Sequence, residues 1–342
     1  MNGLLGASRD TMLSRLRRRP GPPTETWVAI GLFVLLALLP AVVQGYVVYI
    51  LPQYMLYGVL AMSLALLWGF AGIVSFGQAA FFTIGAYVMG LSMAHGLLVN
   101  PGYVGLVAAG ALSGLLAGLT GYFLFSAGVR STHFVLITLA LSIIAEQIAV
   151  SQSWLTGGYN GMFVPRMALG PGVGGPTPGD TEIYLFVLVL CAACYFGLRH
   201  ALSRRFGKVL AGIRENEDRL TAFGFRIDLY KTAAFAVSGC LAGFSGALYA
   251  TSAGFVSPSL AGVLFSTQVV VWVAIGGRHS LLGAFVGAVA VAALSNYVSA
   301  VIPNYWQLIV GLVFMLVIVF FRRGLAGLGE TGWERWIGRA GP

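Results

Sequence analysis

Residues 206–225 read FGKVLAGIRENEDRLTAFGF, and they hold Lys208, Arg214, Glu215, Glu217, Asp218 and Arg219 in a chain that is only 9% charged. Long apolar runs lie on both sides of this island. Working outward, the 342 residues are 58% hydrophobic, whereas soluble domains carry about 25% charged residues. The apolar runs reach about 18 residues or more, the length that lets a helix cross a bilayer core. They do not alternate, which excludes a membrane β-barrel. The 47 glycines suit closely approaching membrane helices. The expected fold is therefore an all-α polytopic membrane protein.

About ten spans are expected, near 27–45, 50–70, 77–98, 103–128, 133–150, 183–201, 232–252, 264–277, 280–301 and 306–321. The eighth is short for a full crossing, so it is read as tilted or as half of a broken helix. The positive stretch RLRRRPGPP before the first run resembles a signal peptide, but the run is long and no A-x-A site closes it. It is read as a retained span. With this count every Lys and Arg except Arg166 falls on one side, so the positive-inside rule places both termini in the cytoplasm. The domains are then a basic tail over 1–26, a transmembrane domain over 27–321 and a second tail over 322–342. The transmembrane domain carries an exterior Gly/Pro-rich loop at 151–182 and a cytoplasmic loop at 202–231.

The net charge of +9 does not point to nucleic acid, because the basic residues flank the spans. Cys191 and Cys194 form a C-x-x-C inside an apolar run, and with Cys240 they read as buried, inert thiols rather than a zinc site. His95, His133, His200 and His279 sit at span ends, with no metal-binding spacing between them. No G-x4-G-K-[ST] loop occurs, so the chain has no P-loop ATP site. An intramembrane enzyme would need a nucleophile with a base, or a metal cluster, and neither is evident.

In the island, Phe206, Val209, Leu210 and Ile213 fall at helical spacing, and Gly224 stands where a left-handed helix end is common. One amphipathic helix over about 207–222 is expected. It could lie on lipid headgroups, stay a solvated loop, or dock to a partner; the acids Glu215, Glu217 and Asp218 disfavour lipid. Elsewhere, GFAGIVSFGQAAF breaks an apolar run with Gly69, Gly72, Ser75, Gly77 and Gln78. That pattern fits a broken helix lining a transport path, or close helix packing with polar glue. Glu146 is the one acid expected inside a span, as a substrate contact or a structural hydrogen bond. Gly157, Gly158 and Asn160 form an exterior turn. Asn296 and Gln307 read as interhelical glue.

The stretch FGKVLAGIRENEDRLTAFGFRIDLYKTAAFAVSGCLAGFSGALYA resembles the loop and following span of ABC importer permeases for branched-chain amino acids, of the LivM type. GFAGIVSFGQAAFFTIGAYV, FVLITLALS, LTGGYNG, GFVSPSL, AIGGRHSLLGAFVGA and FFRRGLAGL resemble other family motifs in the same order, over about residues 45–330. Departures are Gly212, Gln78 and Arg278, where relatives carry Ala, often His, and commonly Gly, and Ile143, where an acid is more frequent. The resemblance implies a multi-pass permease of the bacterial cytoplasmic (inner) membrane. It would pair with a homologous permease subunit, two ATPase subunits that use ATP and Mg, and an extracytoplasmic solute-binding protein, binding no cofactor itself. The island would be the coupling loop, with Gly207, Leu210, Ile213, Arg214, Glu215, Asn216 and Glu217 meeting the ATPase. The path would involve Gly72, Ser75, Gly77, Gln78 and Glu146, and Gly157, Gly158 and Asn160 would meet the solute-binding protein. The cargo would be leucine, isoleucine, valine or a related amino acid. The alternatives are urea or short amides, or an ion-coupled carrier, which the scarcity of intramembrane charge disfavours.

Overall fold

A computed structural model describes residues 23–43, 45–95, 100–129, 131–170 and 178–305, with 308, 311–312 and 314–315. Most of the expected tenth span, including Gln307, lies outside these residues, although positions 308, 311–312 and 314–315 within it are helical; Arg130, most of the N-terminal tail and all of the C-terminal tail also lie outside.

The chain divides into two compact units, Met1–Val43 and Gln44–Pro342. The first contributes one described helix, α1 (Pro23–Val42), apolar from Trp27 onward. The second begins with α2 (Tyr46–Ala65), which runs into a π-helical turn at Leu66–Ala71. There follow α3 (Gln78–Ala94), α4 (Pro101–Ser126), α5 (Ser131–Ser151) and α6 (Asp180–Ser203). Two short helices come next, α7 (Arg205–Glu215) and α8 (Glu217–Ala222). The rest are α9 (Ile227–Ala253), α10 (Val263–Gly276) and α11 (Leu281–Val301). Seven of the described helices are long and apolar enough to cross a membrane.

Two expected spans are shorter than that. Helix α3 has 17 residues and α10 has 14. At about 1.5 Å per residue neither alone covers a hydrocarbon core of about 30 Å. The expectation of a short eighth span is met, whereas the third was expected to be full length. A two-stranded antiparallel ribbon, β1 (Met162–Phe163) with β2 (Phe255–Val256), adds the only described sheet. Its pairing ties the turn-rich stretch after α5 to the end of α9.

Helix α9 is the hub of the second unit, and small residues make that possible. A Cβ at Gly246 would overlap the Phe82 carbonyl, and one at Gly85 would overlap the Gly243 carbonyl, so α3 and α9 meet backbone to backbone. Hydroxyls then bond across helices: Ser113 Oγ donates to the Phe81 carbonyl at 3.1 Å and Ser238 Oγ to the Ser63 carbonyl at 2.6 Å. Asn296 Nδ2 donates to Tyr46 Oη at 3.3 Å, joining α11 to α2 as the glue reading expects.

The thiols differ in part from expectation. Cys191 is buried and Cys194 half-buried, but Cys240 is exposed on α9. No cluster of His, Cys, Asp or Glu among the described residues is arranged to hold a metal.

Candidate functional site

The polar island folds as two helices, not one. Asn216, at φ −163° and ψ 107°, is extended and breaks the run. Its side chain accepts from the Arg219 backbone N–H at 3.0 Å and so caps α8. Gly224, at φ +81°, turns the chain out of α8 as its position suggests. Lys231 Nζ pairs with Glu217 Oε1 at 2.6 Å and ties α8 to α9.

The apolar face of α7 points into the chain. Leu210 and Ile213 are 0% and 1% exposed. A side chain on Gly207 would overlap the Leu202 backbone, so the elbow between α6 and α7 is closed tightly. The family resemblance implied that Leu210 and Ile213 meet the ATPase. The structure uses them to fix α7 on its own bundle, because burying Leu and Ile there removes them from water at no cost in unpaired polar groups. What remains outward is mixed: Glu215, Asn216, Glu217, Asp218 and Arg219 are exposed, and so are Phe223 and Phe225 at the end of the island.

Arg214 is exposed in part but reaches back to the bundle. Its guanidinium turns back and donates to the Gly69 carbonyl in the π turn, and Nη1 lies 3.0 Å from His279 Nδ1. His279 Nδ1 is 3.3 Å from the same carbonyl, and Arg278 Nε donates to His279 Nε2 at 3.1 Å. The Arg278 guanidinium lies 5.9 Å from the centre of the Trp68 ring. Thus α7, the end of α2 and the turn between α10 and α11 meet at one point.

Beyond the π turn the chain is irregular from Gly72 to Gly77, so the broken-helix reading matches the backbone. Its polar groups find partners on α5. The Phe76 N–H donates to Thr138 Oγ1 at 3.2 Å, and the Phe76 carbonyl accepts from Ser142 Oγ at 2.8 Å. Ser75 Oγ is buried and accepts from the Gly77 N–H at 3.1 Å. Gln78 opens α3; its Oε1 accepts from Ser63 Oγ at 3.1 Å, while Nε2 is buried without a partner.

Thr138, Ser142 and Glu146 recur every fourth residue, so they form one polar stripe on α5. Sequence reasoning chose only Glu146; the stride of four was the signal for the other two. A Cβ on Gly262 would stand 3.2 Å and 3.3 Å from the two Glu146 oxygens, placing the carboxylate at the start of α10. A carboxylate is favoured there by the helix dipole. Among the described residues Glu146 has no hydrogen bond or ion pair, which the structural reading of it had expected.

At the opposite end, Gly157 and Gly158 adopt φ +78° and +62° and form a tight turn held by Thr156 Oγ1. Asn160 is exposed beside them. So the structure gathers Gly72, Ser75, Gly77 and Gln78 with the α5 stripe. It sets Gly157, Gly158 and Asn160 apart from the island.

Residues 46–319, which contain both the break and the island, match the family described as branched-chain amino acid transport system permease component. The chain belongs to this family. LivM of the high-affinity branched-chain amino acid transport system of Escherichia coli (strain K12) is 26% identical over 320 residues, or 86% of this permease and 73% of that protein. A probable LivM of Methanocaldococcus jannaschii is 26% identical over 229 residues, or 58% of this permease and 66% of that one. The xylose transport permease XylH of Escherichia coli (strain K12) is 27% identical over 179 residues, or 50% and 40%. No solved structure matches the permease. It is an ABC permease of the LivM type and a multi-pass protein of the inner membrane.

Proposed function

We propose that this permease is the membrane subunit of an ATP-driven importer for branched-chain or related amino acids, with both termini and the island in the cytoplasm. The observation that carries the reading is the island itself: a charged helix pair whose first helix is seated on the bundle through Leu210 and Ile213, while Glu215, Asn216, Glu217, Asp218, Arg219 and Phe223 stay exposed. Such an element transmits force from a water-soluble partner, since its outer residues are already solvated and its inner ones cannot detach freely. In this reading Glu215, Asn216 and Glu217 meet the ATPase. Gly207, Leu210 and Ile213 hold the loop in place for it. ATP and Mg act on the partner subunits and the chain has no ATP site of its own. A homologous permease subunit completes the membrane pore, and a solute-binding protein delivers cargo at the end marked by Gly157, Gly158 and Asn160.

The path is assigned to the seam between the break and α5. Irregular backbone at membrane depth is tolerated where protein or a polar cavity satisfies it. Gln78 Nε2 and the Glu146 carboxylate supply polar groups that have no hydrogen-bond partner among the described residues. The LivM relatives support amino acids as cargo; the XylH likeness covers half the chain and does not carry a sugar. The test is purification from the native membrane, followed by reconstitution with its partners. ATPase subunits should co-purify, and uptake of labelled leucine should need ATP and the solute-binding protein. Leucine uptake that runs on an ion gradient without ATP would refute the proposal.

A further inference from the structure

We propose that Arg214 is a positioning residue that carries the island's movement into the broken helix by holding the Gly69 carbonyl. The inference rests on the coupling role given to the island above. The π turn makes the contact possible. The N–H groups of Gly72 and Ile73 both bond the Leu67 carbonyl, the second at 3.0 Å. The Gly69 oxygen is thereby left to side chains, and Arg214 and His279 take it. A charge-assisted bond to a carbonyl is directional, unlike the apolar seat of Leu210 and Ile213.

The surroundings make the joint stiff. The Arg278 carbonyl occupies the space a Gly69 side chain would need, so the turn between α10 and α11 abuts the π turn directly. A Cβ on Gly72 would stand 3.0 Å from Arg214 Cγ, so the Arg214 stem lies over the first residue of the break. From Gly72 the chain runs five residues to Gly77, fixed midway by Phe76 on α5, and then enters α3. A shift of α7 therefore reaches Gly69 through a hydrogen bond and Gly72 through contact. The break, which has no helical bonds to resist it, bends first. Coupling by such a chain requires an element with two arrangements, and the 72–77 segment is that element.

The experiment uses the whole importer, with Arg214→Met and Arg214→Lys. The Met variant should retain its ATPase subunits and hydrolyse ATP within about twofold of the parent, while cargo moved per ATP falls about tenfold, the scale of one charge-assisted hydrogen bond lost. The Lys variant should recover part of that loss, since it keeps a charged donor. A second readout is direct. In a background lacking Cys191, Cys194 and Cys240, a Val74→Cys thiol should react with a soluble maleimide at different rates in resting and vanadate-trapped importer. Arg214→Met should abolish that difference while trapping persists. If the Met variant fails to reach the membrane, the same readouts on the Lys variant decide. Loss of the ATPase subunits in either variant makes Arg214 a docking contact and overturns the inference, as does an unchanged ratio of cargo to ATP. A parent chain that holds no ATPase subunit overturns the functional reading, and this inference with it.

Discussion

Single residues fix how closely the helices of this permease approach. Gly246 faces the Phe82 carbonyl without room for a methyl group. Gly246→Ala should therefore force α3 and α9 apart and lower stability by about 1–3 kcal/mol, the usual cost of overpacking. The check is the melting temperature in detergent. Gln78 makes a different case. Its Nε2 is buried without a partner, which costs about 1–3 kcal/mol if nothing fills the site. Gln78→Met should leave the melting temperature level or raise it, because Ser63 Oγ keeps its bond to the Leu60 carbonyl at 2.7 Å. Under the proposed path the same variant should slow uptake several-fold. Unchanged uptake would return Gln78 to a packing role.

At the level of elements, the split of the island into α7 and α8 depends on Asn216. Asn216→Ala removes the cap on the Arg219 N–H and should cost about 1 kcal/mol, seen as faster amide exchange over 219–222. The Lys231–Glu217 pair reads differently. The Glu217 side chain is 52% exposed but that of Lys231 only 14%; Glu217→Gln keeps an oxygen that can accept from the Lys231 ammonium and should lower stability by about 1 kcal/mol or less. A loss of uptake in that variant would then report on a partner rather than on folding. The short helices α3 and α10 follow the same logic as the break. Each begins after irregular backbone, Gly72–Gly77 and the 3-10 turn Pro258–Ala261, where a continuous helix would have left no site for polar groups.

For the whole molecule the governing question is which end faces which compartment. The island and the Gly157–Asn160 turn emerge at opposite ends of the second unit. Single-cysteine variants separate the alternatives, in a background without the native thiols. A membrane-impermeant maleimide should label Asn160→Cys in intact cells and Asp218→Cys only in inverted vesicles. Labelling of Asp218→Cys from outside would invert the orientation and remove the island from any cytoplasmic ATPase.

The apolar runs, their approximate limits, the break at Gly72–Gly77 and the left-handed turn at Gly224 were legible along the chain. Each depends on local facts: the length of hydrocarbon a helix must cross, and the backbone freedom of glycine. What folding alone decided is where polar groups freed inside the bundle find partners. Arg214 and Gly69 are 145 residues apart, and Phe76 meets Ser142 across 66. The inward turn of Leu210 and Ile213 belongs to the same class. An amphipathic stripe tells which face is apolar, but not whether it covers the chain's own bundle or another protein. That choice is made by the burial available nearby, and buried polar groups must be satisfied by whatever the fold brings within reach.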